Sequence, residues 1–147
     1  MPCTLLWGTA NPPGVSDRNS VYLSREDIGD MISQINTTAE RIPVHVEHKG
    51  VAVGHVVSAW EHHGKMECVL QLDDTVFEGA LGGEFVRNGL CKDLSLGYTL
   101  SLENSKSGGI SVRKKTIKEI SIVKKGARQQ CHIHGVTPVM GSIKKPK

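Results

Sequence analysis

Three stretches of this 147-residue chain carry side chains able to move protons. The first is Ile42-Pro43-Val44-His45-Val46-Glu47-His48, followed by Val53-Gly54-His55-Val56. The second is Asp93-Leu94-Ser95-Leu96-Gly97-Tyr98, and the third is Lys118-Glu119-Ile120-Ser121-Ile122-Val123 with Gly126-Ala127-Arg128 behind it. A serine hydroxyl is a poor nucleophile until an imidazole takes its proton, and that imidazole works best when a third group fixes its tautomer. One base, one hydroxyl and one acid on separate segments supply those parts. Taken singly, each has a plain structural reading: a strand-end histidine at the surface, a serine that satisfies a neighbour, a solvated glutamate.

Two other chemistries compete for the same residue types. Seven histidines (His45, His48, His55, His62, His63, His132 and His134) invite a metal reading, with Cys131 beside His132-Ile133-His134. A structural zinc site takes four ligands in tight local pairs at recurring spacing. These residues show no such repeat, so no metal and no other cofactor is expected. Cys91 lies just upstream of Ser95, but no positive group or helix start is expected beside it to lower its pKa. It reads as a small buried apolar residue.

The elements that must position these groups follow from periodicity. Thr4 to Trp7 is a short apolar run that reads as a first strand, closed by Pro12-Pro13-Gly14. Ser24 with Asp27 resembles a capping box, and Ile28, Met31, Ile32 and Ile35 then lie on one helical stripe. Pro43 stops any continuation. Val44 and Val46 alternate with polar neighbours, Val51, Val53, His55 and Val57 mark a second run, and Met66 to Leu72 a third. Asp74 is a candidate cap for a helix carrying Phe77, Leu81 and Phe85, in which Gly79, Gly82 and Gly83 each cost about 1 kcal/mol. Asp93 to Leu102, a turn around Ser107-Gly108-Gly109, Ile110 to Ile117 and Glu119 to Val123 complete the strands. This pattern predicts an α+β domain: a small, mostly antiparallel β-barrel, closed or nearly so, with a few flanking helices.

Composition and charge bound the rest. Apolar residues make up 38% and charged residues 22% of the chain, which fits one globular domain over residues 1–137. No run of about 18 apolar residues exists, so no membrane-spanning helix and no membrane partner is expected. The N-terminal MPCTLLWGTANPPG has neither the basic region nor the apolar stretch of a signal peptide, so the expected setting is inside a cell or a particle. The scattered cysteines Cys3, Cys68, Cys91 and Cys131 fit free thiols in a reducing compartment. Residues 1–105 carry 7 Lys and Arg against 14 Asp and Glu, a net of −7, whereas residues 106–147 carry 11 against Glu119 alone, a net of +10. Residues 138–147 read as a basic, flexible C-terminal tail, and the basic last third as a surface for non-specific nucleic-acid or acidic-partner contact.

The three stretches, in this order and spacing, resemble the herpesvirus assemblin and tailed-phage prohead protease group, the capsid-maturation serine proteases. The resemblance runs from about Ile42 to Arg128. Assemblins carry an apolar-Pro-x-x-x-acid-His segment with a Val-Gly pair behind it, matched by Ile42 to His48 and Val53-Gly54. The phage enzymes favour Leu-Ser-(apolar)-Gly-aromatic, matched by Leu94 to Tyr98, and a Glu-(apolar)-Ser-(apolar)-Val strand, matched by Glu119 to Val123.

The resemblance implies that Ser95 is the nucleophile and His48 its general base. The assemblin third position is a histidine seven residues before a Gly-Arg-Arg segment; counting back from Gly126 gives Glu119 instead, with His132 or His134 as the alternatives. Gly126-Ala127-Arg128 stands where the group builds its oxyanion hole, implying a backbone donor at Ala127 and a water held by Arg128. The implied activity is cleavage of an internal scaffold or capsid protein, and of the chain itself, inside a viral procapsid within a host cell. Met140-Gly141-Ser142 offers a small-residue–Ser junction, making Gly141/Ser142 the candidate self-cleavage site. Assemblins self-associate through extra C-terminal helices, and no such helix is expected after Val123. The alternative from another class is a catalytically inactive barrel acting as a capsid scaffold or a nucleic-acid-binding packaging module.

Overall fold

The computed structural model describes residues 3–11, 23–104, 108, 110–126 and 130–139. Among these residues seven strands and two helices follow the order β1 (Cys3–Asn11), α1 (Arg25–Thr37), β2 (Pro43–Val46), β3 (Lys49–His62), β4 (Lys65–Asp73), α2 (Phe77–Arg87), β5 (Asp93–Asn104), β6 (Ile110–Val123) and β7 (Ile133–Val139). The strands form one mixed sheet in the order β5-β6-β2-β3-β4-β1-β7. Every pairing is antiparallel except β2 with β6. Alternate residues turn one face of this curved sheet inward: Met66, Cys68, Leu70 and Leu72 from β4, Leu94 and Leu96 from β5, Ile120 and Ile122 from β6.

Helix α1 begins as its residues require. The Asp27 N–H donates to Ser24 Oγ at 3.0 Å and the Ser24 N–H to Asp27 Oδ2 at 2.9 Å, closing the capping box. Ile28, Met31 and Ile35 are buried under it. Two amides on α1 then replace sheet hydrogen bonds. β2 is only 4 residues long, so beyond it β6 and β3 have no strand between them. There Gln34 donates to the Lys115 carbonyl at 3.0 Å and accepts the Ile117 N–H at 2.9 Å. Asn36 does the same for Ala59 on β3, at 2.8 and 3.2 Å. The helix thus satisfies backbone groups that a short β2 would otherwise leave exposed to the core.

Helix α2 lies close against the sheet through its small residues, as Gly79, Gly82 and Gly83 suggest, and Phe77 and Leu81 of its apolar row stay outside. Its buried face is Gly79, Gly82, Gly83 and Val86, while Phe77 is 75% exposed and Leu81 is 37% exposed. A Cβ at Gly79 would overlap the Asp73 carbonyl, so the absence of side chains lets the helix lie directly on the ends of β3 and β4. Asp74 does not cap it. The N-cap is Val76 without a side-chain bond, and the Asp74 carboxylate instead accepts the Thr4 hydroxyl at 3.0–3.1 Å.

Of the expected barrel, closed or nearly so, full closure is corrected: the sheet is open. Among the described residues its two edge strands meet at one bridge, Asp93 with His132, flanked by Leu94 N–H to Cys131 O and Ile133 N–H to Lys92 O, both 2.8 Å. β5 and β7 both start at that contact and run antiparallel, so each leaves it in the opposite direction and no ladder can continue. Ile110–Ile117 and Glu119–Val123, expected as two strands, are one strand with an irregularity. Strand β7, after His132, has no counterpart in the periodicity reading and pairs with β1 as far as Val139.

Asp27 provides a test of how α1 is anchored. Burial pushes its carboxyl up, but the hydrogen bond from Lys115 Nζ at 2.7 Å and those with Ser24 outweigh it, so the pKa lies below the usual carboxylate value. A folded-state pKa lowered in this way stabilises the fold above the unfolded value, and that contribution disappears as pH falls through the folded value. Asp27→Asn, which removes the charge paired with Lys115, is therefore expected to cost up to about 1 kcal/mol at neutral pH. Urea-unfolding midpoints of variant and wild type should converge as the pH is lowered into the carboxyl range; a gap constant with pH would exclude the ion-paired cap.

Candidate active site

The β2–β3 connection is a two-residue turn, Glu47-His48, between paired Val46 and Lys49. Both turn residues have positive φ, 54° and 59°. Hairpins of this shape normally use Asn-Gly, because other side chains are strained there by about 1–3 kcal/mol each. Strand β6 holds the turn in place from outside the hairpin. Glu47 N–H donates to the Ile122 carbonyl at 3.0 Å, Lys124 N–H donates to Glu47 Oε1 at 2.8 Å, and His48 N–H donates to Ser121 Oγ at 3.1 Å. The pinned turn sends the His48 imidazole across β6 towards β5.

On those strands the alternation leaves polar groups on the outer face. Leu94 and Leu96 enter the core and Ser95 faces out; Ile120 and Ile122 enter the core and Glu119 and Ser121 face out. Ile117 is also buried, which a strict two-residue period from Glu119 would forbid. The register slips between Gly97↔Glu119 and Tyr98↔Ile117, so Lys118 is an extra residue that resets the face. This bulge aims Glu119 outward. Opposite it, Gly97 makes room: a Cβ there would overlap the Glu119 carboxylate.

The result is a connected line of hydrogen bonds. His48 Nε2 lies 2.9 Å from Ser95 Oγ, its Nδ1 forms a short bond with Glu119 Oε1, and the Ser121 hydroxyl donates to Glu119 Oε2 at 2.6 Å. A carboxylate only accepts, so Nδ1 carries the ring proton and Nε2 is left as an acceptor for the Ser95 O–H. The Glu119 side chain is 15% exposed and the His48 side chain 42%, which places the carboxylate beneath a solvent-reachable imidazole. A hydroxyl and a carboxylate are therefore linked through one imidazole, the geometry that general-base activation of a hydroxyl uses.

The other candidates lie elsewhere. His132 Nδ1 pairs with Asp93 Oδ1 at 2.8 Å, and His134 Nε2 lies 2.8 Å from Thr9 Oγ1, so neither takes the Glu119 position. His55 bonds Arg41 at 2.8 Å on the far side of β3, where burial and then the Arg41 charge lower its pKa against an opposing effect of Asp73. His45 sits opposite Ser121 on β2, and its buried Nδ1 has no hydrogen-bond partner among the described residues. His62 and His63 pack edge to face at 4.2 Å. Among the described residues, no three His, Cys, Asp or Glu side chains gather as metal ligands. Cys91 is 2% exposed, and burial pushes its thiol up. An open groove of about 420 Å³ lined by Val86, Cys91, Lys92, His132, His134 and Val136 follows the β5–β7 seam and includes none of Ser95, His48 and Glu119. Gly126 N–H donates to Asp93 Oδ2 at 2.9 Å; Ala127, Arg128, Gly141 and Ser142 lie outside the described residues.

Sequence reasoning assigned no part to Ser121 or Gly97. The spacing of Glu119 and Ser121 on one strand places both on the same face, which was the available signal for the first. The sequence marks Lys118 only as a break between two expected strands, and no local pattern brings Gly97 opposite Glu119.

No protein-family model and no curated protein matches the sequence. Solved structures do match it. The Kaposi's sarcoma herpesvirus (KSHV) protease in complex with a hexapeptide phosphonate inhibitor aligns with a TM-score of 0.59 at 13% identity, over 95% of this chain and 66% of that one. The varicella-zoster virus protease aligns with a TM-score of 0.56 at 16% identity, over 92% and 64%. A KSHV protease in complex with a dimer disruptor aligns with a TM-score of 0.51 at 13% identity, over 92% and 76%. The chain has the fold of the herpesvirus proteases and spans about two thirds of the length of the first two.

The Gly97 contact yields a sharp expectation. Gly97→Ala should push the Glu119 carboxylate off His48 and lower the rate of Ser95 labelling by a fluorophosphonate on the order of 100-fold, the scale of a 1 Å misplacement. Labelling at the wild-type rate would show that the carboxylate does not need that space.

Proposed function

We propose that the protein is a serine endopeptidase of viral capsid maturation, cutting an internal scaffold or capsid protein and its own chain. The observation that carries this reading is the single imidazole bonded at one nitrogen to a serine hydroxyl and at the other to a shielded carboxylate. The fold adds support, since the similar solved structures are herpesvirus proteases and one of them holds a hexapeptide phosphonate inhibitor.

The chemistry follows from the atoms in place. Ser95 Oγ attacks the scissile carbonyl carbon as His48 Nε2 takes the hydroxyl proton, and the C–N bond breaks as that proton passes to the leaving amine. Water then enters, gives its proton to the same nitrogen and releases the acid from Ser95. Glu119 keeps the Nδ1–H tautomer and stabilises the imidazolium formed in each half. No cofactor takes part in this scheme. The Ala127 N–H and a water on Arg128 are proposed to hold the oxyanion, a donor of this kind being worth about 3 kcal/mol. Cleavage at Gly141/Ser142, action inside the procapsid and self-association belong to the same proposal. The last draws on the dimer disruptor bound to one similar protease.

The test is a fusion of the chain to a scaffold substrate. Ser95→Ala should abolish processing and fluorophosphonate labelling, and Glu119→Gln should lower kcat by about 10⁴ with folding intact, as loss of the orienting carboxylate does in other triads. Processing by Ser95→Ala at the wild-type rate would overturn the reading. An unlabelled Ser95 combined with salt-dependent retention on nucleic acid would instead favour the inactive scaffold or packaging module.

A further inference from the structure

We infer that Ser121 is a positioning residue for the reaction, its hydroxyl setting the distance and angle between His48 and Glu119. The inference rests on the proposed Ser95–His48–Glu119 relay and adds a fourth side chain to it. Ser121 is fully buried. Its neighbours fix its proton without ambiguity: the His48 backbone N–H can only donate to Oγ at 3.1 Å, and Glu119 Oε2 can only accept from it at 2.6 Å. The hydroxyl has one proton and has given it to the carboxylate, so Ser121 is not a second nucleophile. It is a fixed dipole.

One oxygen therefore grips both partners of the bond that defines the base. On one side it holds the backbone of a residue at φ 59°, a conformation that needs outside support. On the other it occupies Oε2, which leaves Oε1 as the lone-pair face turned to Nδ1. The cross-strand register places Ser121 directly opposite Ser95, so the same rigid pair of strands also fixes the nucleophile. A glutamate has three side-chain torsions, and without the Ser121 donor this carboxylate could rotate away from the ring.

The experiment compares Ser121→Ala and Ser121→Thr with wild type and Ser95→Ala on the scaffold fusion, at a temperature where circular dichroism shows each variant folded. Ser121→Ala is expected to lower kcat by about 10- to 100-fold at unchanged KM. Ser121→Thr, which keeps the hydroxyl, should recover most of that loss. The downfield proton resonance of His48 Nδ1–H, observed by NMR, should shift or broaden in Ser121→Ala and return in Ser121→Thr; this readout reports the His48–Glu119 bond without requiring turnover. If Ser121→Ala keeps the wild-type kcat and resonance while Ser95→Ala is inactive, this inference falls and the relay stands. Hydrolysis that survives Ser95→Ala overturns the relay and the inference together. A lowered melting temperature with kcat and resonance unchanged would mark Ser121 as structural only and overturn it as well.

Discussion

The candidate site depends on a turn that would not hold its shape alone. Glu47 and His48 both have left-handed φ without being glycine, and each is tied to β6 by a hydrogen bond outside the hairpin. Strain of about 1–3 kcal/mol per residue is comparable to the net value of one or two hydrogen bonds, so the β6 contacts are sufficient to offset it. The effect is to fix an imidazole whose side chain is 42% exposed. A histidine on a relaxed loop would sample several directions. This one is aimed by its backbone.

Everything that receives the turn follows from the parallel β2–β6 pairing. That pairing puts His45 beside Ser121 and leaves the end of β2, where the turn begins, against Ile122. β6 then has two roles: Ile117, Ile120 and Ile122 pack the core while Glu119 and Ser121 face the imidazole. Only the Lys118 bulge makes both possible, because an unbroken period of two would send either Ile117 or Glu119 to the wrong face. Gly97 completes the arrangement from β5. The site is thus a consequence of register, and the residues that set register are not themselves reactive.

This explains what could be read from the chain and what could not. The capping box at Ser24 and Asp27 and the Ile28-Met31-Ile35 stripe are local patterns, and α1 forms where they predict it. The alternation in β4 and β5 is equally local. In α2 the glycines signal close approach to the sheet, but that Phe77 is left outside depends on the Asp73 carbonyl, a tertiary contact that outweighs apolar periodicity. Strand β7 carries Gly135 and Pro138, which break the usual strand pattern, and its pairing with β1 joins residues more than 120 positions apart. The open seam has the same origin: whether two edges close into a barrel is set by where both strands start, which no local window contains. Of the candidate site, the serine, histidine and glutamate that the strands bring together could be named by kind and order. For their neighbours the sequence offered only the spacing of Ser121 from Glu119, since a hydroxyl and a missing side chain acquire meaning from what stands opposite them.

TM-scores of 0.59 and 0.56 establish a shared fold, and identities of 13% and 16% leave the chemistry to be argued from the site. The point of departure from the assemblin pattern is Glu119, where the resemblance implies a second imidazole. An imidazole in that position both donates and accepts, so it needs its own orienting partner to present an acceptor to Nδ1. A carboxylate presents acceptors only, which removes the tautomer problem and replaces it with a rotational one: two equivalent oxygens on a flexible stem. Ser121 answers that second problem by occupying one oxygen, and Gly97 leaves open the space in which the carboxylate lies. The acid and its two neighbours therefore form one unit. Exchanging the imidazole for a carboxylate is chemically coherent here because the surrounding strands supply what a carboxylate, specifically, lacks.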